Sequence, residues 1–290
     1  MAAFGLKNID RKQAWAHVPR LWHVRSEVAR LLGQWTRAGE FLDEMEGAIP
    51  ADEAPELRTG AGLIEQNHMY RARLKRARAQ NLLELGLLDQ CRDEIVAAEQ
   101  EARLSKDPLT LLEVRLLAID RALTSEDFPE AVERARASQT ELREAMERTG
   151  QASWWKPLLL AAEGLAHAEL ARQAVVSGAS DPTVTAEAKR CLESALAAET
   201  LSPGERLKTL LALADLEVTL GKATEAGEHL LLSSALVESM GPGAAPKEEV
   251  LIAVHRWRLA RSAVSDDQEA SRAELEQRGA DLRAAFGRFL

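Results

Sequence analysis

The stretch LGKATEAGEHL, Leu220–Leu230, contains the turn on which the interpretation of the fold depends. Gly221 and Lys222 stand directly before a segment with helical periodicity. A phosphate-binding loop would place a Gly-Lys pair there, and so would a reversal between two packed helices. A phosphate-binding loop needs a glycine five residues before the Gly-Lys pair and Ser or Thr directly after it, but Leu216 and Ala223 hold these positions. The stretch is therefore interpreted as a helix end, with Gly221 free to adopt the left-handed backbone conformation.

The same pattern recurs in the stretches LLGQWTRAGEFL from Leu31 and ELGLLDQCRDEI from Glu84. In each case Leu-Gly is followed, five residues after the glycine, by a small residue, and four residues later by a large apolar one. The small residues are Ala38, Cys91 and Ala226, and the large ones are Leu42, Ile95 and Leu230. In a further unit Phe128, Ala131 and Ala135 hold comparable places, and a longer turn is expected to replace the glycine. Hinges at intervals of about 40–55 residues predict a helical repeat array.

This pattern resembles the tetratricopeptide repeat, in which a small residue of the second helix lies where it crosses the first helix. The small side chain lets the two helices approach closely. Counting back from the glycines, the positions of the family's first helix are matched by Leu210, Leu213 and Ala214, and by Trp22 and Ser26. The second unit departs from the family, since Lys75 and Arg78 stand where apolar residues are expected, and the repeats exceed the family's usual length. The resemblance implies an all-α, right-handed α-solenoid of about six antiparallel helix pairs.

Composition independently favours helices. The chain has 290 residues, of which 46% are apolar and only 4% aromatic, and alanine and leucine dominate the apolar share. Ala, Leu, Glu and Arg lose little conformational freedom in a helix, whereas the residues that favour strands are sparse. We therefore expect helices throughout, including starts at Asp107-Pro108 and Ser202-Pro203, where a capping side chain precedes a proline.

The chain is expected to form a single repeat domain over residues 1–290. Within it we expect a first helix pair at 1–48, a linker loop at 49–62, a repeat body at 63–264 and a C-terminal capping helix at 265–290. The predicted helices are 10–32 and 35–48, 63–85 and 88–104, 108–124 and 128–148, 154–177 and 183–199, 203–220 and 223–239, and 247–264 and 267–289.

Charge and cysteine content exclude several functional classes. The net charge of −9 argues against general nucleic-acid binding, which requires clustered Lys and Arg. Cys91 and Cys191 lie far apart inside helical patterns, so neither a disulfide scaffold nor a zinc site is expected, and the six histidines show no metal-ligand spacing. The apolar runs are too short to cross a membrane, and the N-terminus lacks the pattern of a signal peptide. The expectation is a cytoplasmic protein without metal or cofactor.

The densest positive charge lies in YRARLKRARAQ, Tyr70–Gln80. If the geometry of the tetratricopeptide family applies, the resemblance implies that Arg73, Arg76, Gln80 and Glu84 line the concave groove, where arginine pairs could hold a carboxylate or an acidic peptide. The corresponding positions of the fifth unit include Lys208, Asp215 and Thr219. The alternative interpretation of the basic segment is a solvated helix face balanced by neighbouring acidic residues.

Two aromatic pairs are candidates for contacts with partners. Trp154 and Trp155 are adjacent at a helix start and cannot both face one core, so one of them could be an exposed binding residue, although packing is the commoner outcome. Phe286 and Phe289 lie on the apolar stripe of the last helix, which is expected to cap the array and could alternatively pair with a second copy of the chain.

The expected function is non-catalytic: an adaptor or scaffold in a bacterial-type cytoplasmic complex, holding a peptide or partner protein in its groove. A preformed concave surface lowers the ordering cost of such recognition. The alternative is a regulatory sensor, in which a small ligand or peptide alters the curvature of the array and so controls a partner. An enzyme whose site is assembled from distant residues is the least favoured class.

Overall fold

A computed structural model describes residues 11–51, 62–149, 154–179, 181–241, 243–263 and 269–289. Side chains are described in the same ranges except at 11–16, 144–149, 262–263, 269–272 and 287–289. Most of the predicted linker loop therefore lies outside the described residues. The helices seen in these ranges are α1 (Arg11–Leu31), α2 (Trp35–Ala48), α3 (Leu63–Glu84), α4 (Leu88–Ser105), α5 (Pro108–Thr124), α6 (Phe128–Thr149), α7 (Trp155–Val176), α8 (Pro182–Leu196), α9 (Pro203–Thr219), α10 (Ala223–Met240), α11 (Pro246–Ala263) and α12 (Glu269–Phe289).

The predicted fold class is confirmed for the described part of the chain, which is all-helical, contains no strand and forms six sequential helix pairs. The chain divides into two compact units, Met1–Ala152 with α1–α6 and Ser153–Leu290 with α7–α12, whereas the sequence analysis treated it as one domain. We call these unit 1 and unit 2.

Packing follows one rule inside each unit. The two helices of a pair contact each other, and both also contact the first helix of the next pair. As a result α1, α3 and α5 lie side by side in unit 1, and α7, α9 and α11 do so in unit 2. In each pair, some side chains of the first helix point away from the second helix. Such side chains from neighbouring first helices can therefore lie next to each other, although they belong to different pairs.

The predicted helix crossings are confirmed. The small residues Ala38, Cys91, Ala131 and Ala226 are all 0% exposed, and Leu42, Ile95 and Leu230 are at most 2% exposed. The fourth pair uses a different residue for its close approach, because a Cβ added to Gly164 of α7 would lie 2.7 Å from Cγ of Leu192 in α8.

The turn of the third pair differs from its prediction. It is not longer: residues 125–127 connect α5 and α6 just as 85–87 connect α3 and α4. Glu126 takes the position that glycine holds in the other turns. Its φ of 59° is close to the values of 69°, 73° and 72° at Gly33, Gly86 and Gly221. The hydrogen bond Asp127 N–H to Ala122 O (2.9 Å) matches Leu87 N–H to Leu82 O (2.9 Å), so the same turn forms with a residue that tolerates this backbone less well.

Glu126→Gly is therefore expected to raise the free energy of unfolding by about 0.5–1 kcal/mol, because glycine relieves the left-handed backbone but costs more entropy on folding. The reciprocal change Gly86→Ala, where an added Cβ has no neighbour within 4 Å, is expected to lower it by about 1 kcal/mol. Urea unfolding of both variants measures these effects. Destabilisation by Glu126→Gly would show that the turn does not depend on the left-handed conformation.

Candidate anion-binding site in unit 1

The basic segment of α3 carries two stripes of cations, and the structure uses them differently. In the first stripe Arg78 binds Asp43 and Glu46 of α2, with closest N–O distances of 2.8 Å to each, and Arg71 donates to the carbonyl of Pro50 at 2.9 Å. The hydrogen bond from Arg78 to the Glu46 carboxylate raises the pKa of the guanidinium. This stripe connects α3 to α2, which explains why cations replace the apolar residues of the resemblance here.

The second stripe faces α1. Arg73 and Arg76 lie near enough to His23 of α1 for their charges to act on its ring. The pKa of His23 is lowered from 6.5 to about 4, chiefly by burial; the charges of Arg76, Arg73 and Arg30 contribute to this lowering and that of Glu27 opposes it. Burial is the largest of these causes, and the three arginines add a positive field at the ring. We call His23, Arg30, Arg73 and Arg76 the basic cluster.

Carboxylates balance the basic cluster only in part. Arg30 is well paired, at 2.9 Å from Glu27 and 3.6 Å from Glu84. Arg76 has a loose contact, with its Nε 3.8 Å from Glu113 of α5. Arg73 has no ion-pair partner within the described residues. The positive charge left over is therefore concentrated on the α3 side of the cluster.

Three buried nitrogen atoms of the cluster have no hydrogen-bond partner: Nδ1 of His23, Nε of Arg30 and Nε of Arg76. Buried polar atoms are normally satisfied, and each one left unpaired costs about 1–3 kcal/mol. A carboxylate or phosphate placed between α1 and α3 could accept from the two arginines and from neutral His23 carrying its proton on Nδ1. These donors are of the type that binds an anion, which makes the basic cluster a candidate site.

Three of the four residues predicted on α3 interact with α1: Arg73 and Arg76 through their charges at His23, and Glu84 through Arg30. Arg73 and Arg76 supply the donors, while Gln80 donates to Glu84 at 3.2 Å and Glu84 approaches Arg30. The sequence analysis missed the contribution of α1. The sequence does contain a signal that His23 belongs to this face. His23 precedes Gly33 by ten residues, and Arg76 precedes Gly86 by the same interval, so the two residues hold equivalent positions in their helix pairs.

The predicted residues of the fifth pair lie in unit 2 and are neutralised there. Lys208 binds Glu205 of its own helix at 2.9 Å, and Thr219 donates to the carbonyl of Asp215 at 2.8 Å. The Asp215 carboxylate contacts Arg258 and lies 3.4 Å from His255, both of α11. These contacts connect α9 to α11, so the basic cluster has no counterpart at these positions.

The aromatic candidates are placed as follows. Trp154 is 43% exposed and Trp155 only 4%, with ring centroids 4.2 Å apart. Trp155 is thus packed into the core, and Trp154 alone of the two is exposed. Phe286 is 43% exposed, whereas the side chain of Phe289 lies outside the described residues.

Neither cysteine is activated as a nucleophile. Burial, followed by the charge of Glu163, raises the pKa of the Cys191 thiol to about 11, and burial also raises the pKa of Cys91. The described residues contain no group of three or more His, Cys, Asp or Glu side chains that could hold a metal ion. Within the same ranges, every helix is too short or too polar to cross a membrane.

The fold and the basic cluster define a class, an all-helical protein of sequentially packed helix pairs with a cationic site between neighbouring first helices. No protein-family model, curated protein or solved structure matches the chain. The likeness to the tetratricopeptide repeat therefore rests on the turn, crossing and packing pattern of this chain.

Acidification is expected to destabilise the protein through His23. The unfolded chain binds the proton with a pKa of 6.5 and the folded chain with a pKa of about 4, so the unfolded state holds more protons between these values. The stability that this residue contributes is nearly complete above pH 6.5, and about 2.5 kcal/mol of it is lost as the pH falls to 4.5.

Urea unfolding at pH 7.5 and 4.5 measures this loss. His23→Gln should lose less stability than the wild type on acidification, whereas His17→Gln, which changes an exposed histidine of the same helix, should behave like the wild type. Equal losses in all three proteins would contradict the lowered pKa of His23 in the folded chain.

Proposed function

We propose that the chain is a non-catalytic interaction module that binds an acidic segment of a partner protein at the basic cluster of unit 1. The observation that carries this proposal is the set of three buried, unpaired nitrogen atoms beside the unpaired Arg73. A folded protein does not gain stability from leaving donors unsatisfied, and a bound carboxylate would satisfy them. An adaptor or scaffold of the tetratricopeptide type uses the equivalent face of its helix array for such a segment.

A peptide carboxylate suits the cluster because of its geometry. Arginine presents a planar fork of donors that matches the two oxygens of a carboxylate, and charge-assisted hydrogen bonds of this kind are about twice as strong as neutral ones. Arg73 and Arg76 lie three residues apart on one face of α3, so successive acidic residues of an extended segment could engage them together. The remaining carboxylates, Glu84 and Glu113, would repel an acidic segment placed further along the same face.

Binding of a labelled octaglutamate peptide, measured by fluorescence anisotropy, tests the proposal. The Arg73→Glu/Arg76→Glu variant should bind at least about 100-fold more weakly, because each lost charge-assisted hydrogen bond is worth about 1.5–3 kcal/mol. The matched control Arg92→Glu/Arg103→Glu makes the same change of charge at exposed positions of α4 and should bind nearly as well as the wild type. A peptide with glutamine in place of glutamate should not bind.

The same experiment has a second readout at His23. A carboxylate bound beside Arg76 offsets the field that opposes protonation, so the peptide should raise the pKa of His23, and binding should tighten from pH 7 to pH 5. The pKa is measured by NMR titration of the imidazole with and without peptide. Equal affinity of the two double variants, or an unchanged His23 pKa at saturation, would overturn the proposal.

A further inference from the structure

Unit 2 contains an open cleft between α10, α11 and α12. Both α10 and α12 pack on α11, and two adjoining cavities of about 570 and 690 Å³ lie along the cleft between them. Arg256 of α11 and Arg278 of α12 line both cavities and so mark the place where they meet. Each volume falls in the range of small-molecule sites, about 300–1,000 Å³.

The two arginines at the centre of the cleft are incompletely neutralised. Arg256 is partly buried and donates a hydrogen bond to the uncharged Ser234 Oγ at 2.7 Å. Arg278 lies 3.5 Å from Glu274 and 3.7 Å from Asp281, which is longer than a charge-assisted hydrogen bond. Burial lowers the pKa of Arg256, and the nearby charge of Arg278 lowers it further. An anion between the two guanidinium groups would relieve both effects.

The two cavities differ in character. The larger one is walled by Leu230, Leu231, Leu259 and Ala260, and it also carries the carboxylates of Glu228 and Glu274. Leu231 is 66% exposed and forms part of this wall. The smaller cavity carries three carboxylates, one more than the larger cavity, and they disfavour the body of an anionic ligand: Glu238, Glu249 and Asp281. The larger cavity is thus the better place for an apolar group attached to an acid.

We propose that this cleft binds a small amphipathic carboxylate, with its acid group between Arg256 and Arg278 and its apolar body against Leu231 and Leu259. The site is independent of the basic cluster of unit 1, so either assignment can fail without the other. Occupancy of the cleft bridges α10, α11 and α12, and this supplies the contact through which a small ligand acts on the helix array, as the sensor hypothesis requires.

Isothermal titration of the full chain with octanoate tests the site. Octanoate should bind at millimolar concentration or tighter, and octanol and octylammonium should bind more weakly because they lack the carboxylate. Arg278→Gln should weaken octanoate binding at least about tenfold, since it removes a charge-assisted contact. Leu231→Gln should also weaken it, by removing apolar wall area. Both changes are at partly or fully exposed side chains, so the variants should fold.

The matched control is Lys247→Gln, which removes one positive charge from an exposed position of α11 outside the cleft and should leave octanoate binding unchanged. Binding of octanol as tight as that of octanoate would overturn the proposal, since it would reflect apolar adsorption alone. Equal affinity of Arg278→Gln and the wild type, or no heat of binding with the wild type, would do so as well. None of these results bears on octaglutamate binding in unit 1.

Discussion

Replacing Glu217 with alanine is expected to lower the free energy of unfolding by about 2–4 kcal/mol. Glu217 of α9 is 1% exposed, and its Oε2 lies 2.7 Å from Nδ1 of His229 in α10. Its Oε1 lies 3.6 Å from Nζ of Lys189 in α8 and has no hydrogen bond. One buried carboxylate therefore connects three consecutive helices of unit 2, and its loss leaves two polar groups facing a cavity.

Urea unfolding measures the effect, with Glu228→Ala as the matched control because Glu228 is an exposed residue of α10. The control should change the free energy of unfolding by no more than about 0.5 kcal/mol. Glu217→Gln preserves the shape and one hydrogen bond, so its loss should be smaller than that of the alanine variant. If Glu217→Ala were as stable as Glu228→Ala, the buried carboxylate would have no role in holding the three helices together.

Leu230→Ala is expected to cost about 2–5 kcal/mol, whereas Leu231→Ala, one residue further on, should cost no more than about 0.5 kcal/mol. Leu230 is 1% exposed and packs with Leu207, Leu211 and Ala214 of α9, so truncation leaves a cavity at the helix crossing. Leu231 is 66% exposed, so its truncation removes little buried area.

The two leucine variants share one substitution on one helix, so helix propensity cancels from the comparison. Urea midpoints and slopes of both proteins give the difference in the free energy of unfolding. Similar losses would show that α10 is not packed in the predicted register, and the assignment of Leu230 to the seam would be wrong.

The positions of the helices were predictable because the signals are local. A glycine in the left-handed conformation ends one helix, a short turn follows, and a small residue one turn into the next helix lets the two cross. Gly221, Ala226 and Leu230 carry all three signals within one stretch of sequence. The third turn was described incorrectly because Glu126 does not resemble glycine in sequence, although its backbone takes the same conformation.

The candidate site was only partly predictable. The sequence shows two stripes of cations on α3 and contains no local signal of which stripe is neutralised. That depends on α2, whose Asp43 and Glu46 meet Arg78, and on α1, which brings His23 and Arg30 to Arg73 and Arg76. These neighbours are separated from α3 by tens of residues, so their charges add to those of α3 only after the helices have packed.

The amino-acid sequence by itself determined the all-helical class, the six helix pairs and the small residues at their crossings. The physical reason is that helix propensity, end caps and the spacing of apolar residues act over a few residues along the chain. The tertiary structure alone decided which charges are paired and which are left over, because ion pairs and burial depend on helices far apart in sequence. It left His23, Arg30 and Arg76 of unit 1 each with one buried nitrogen atom unpaired, and those unmet hydrogen bonds are the basis of the proposed function.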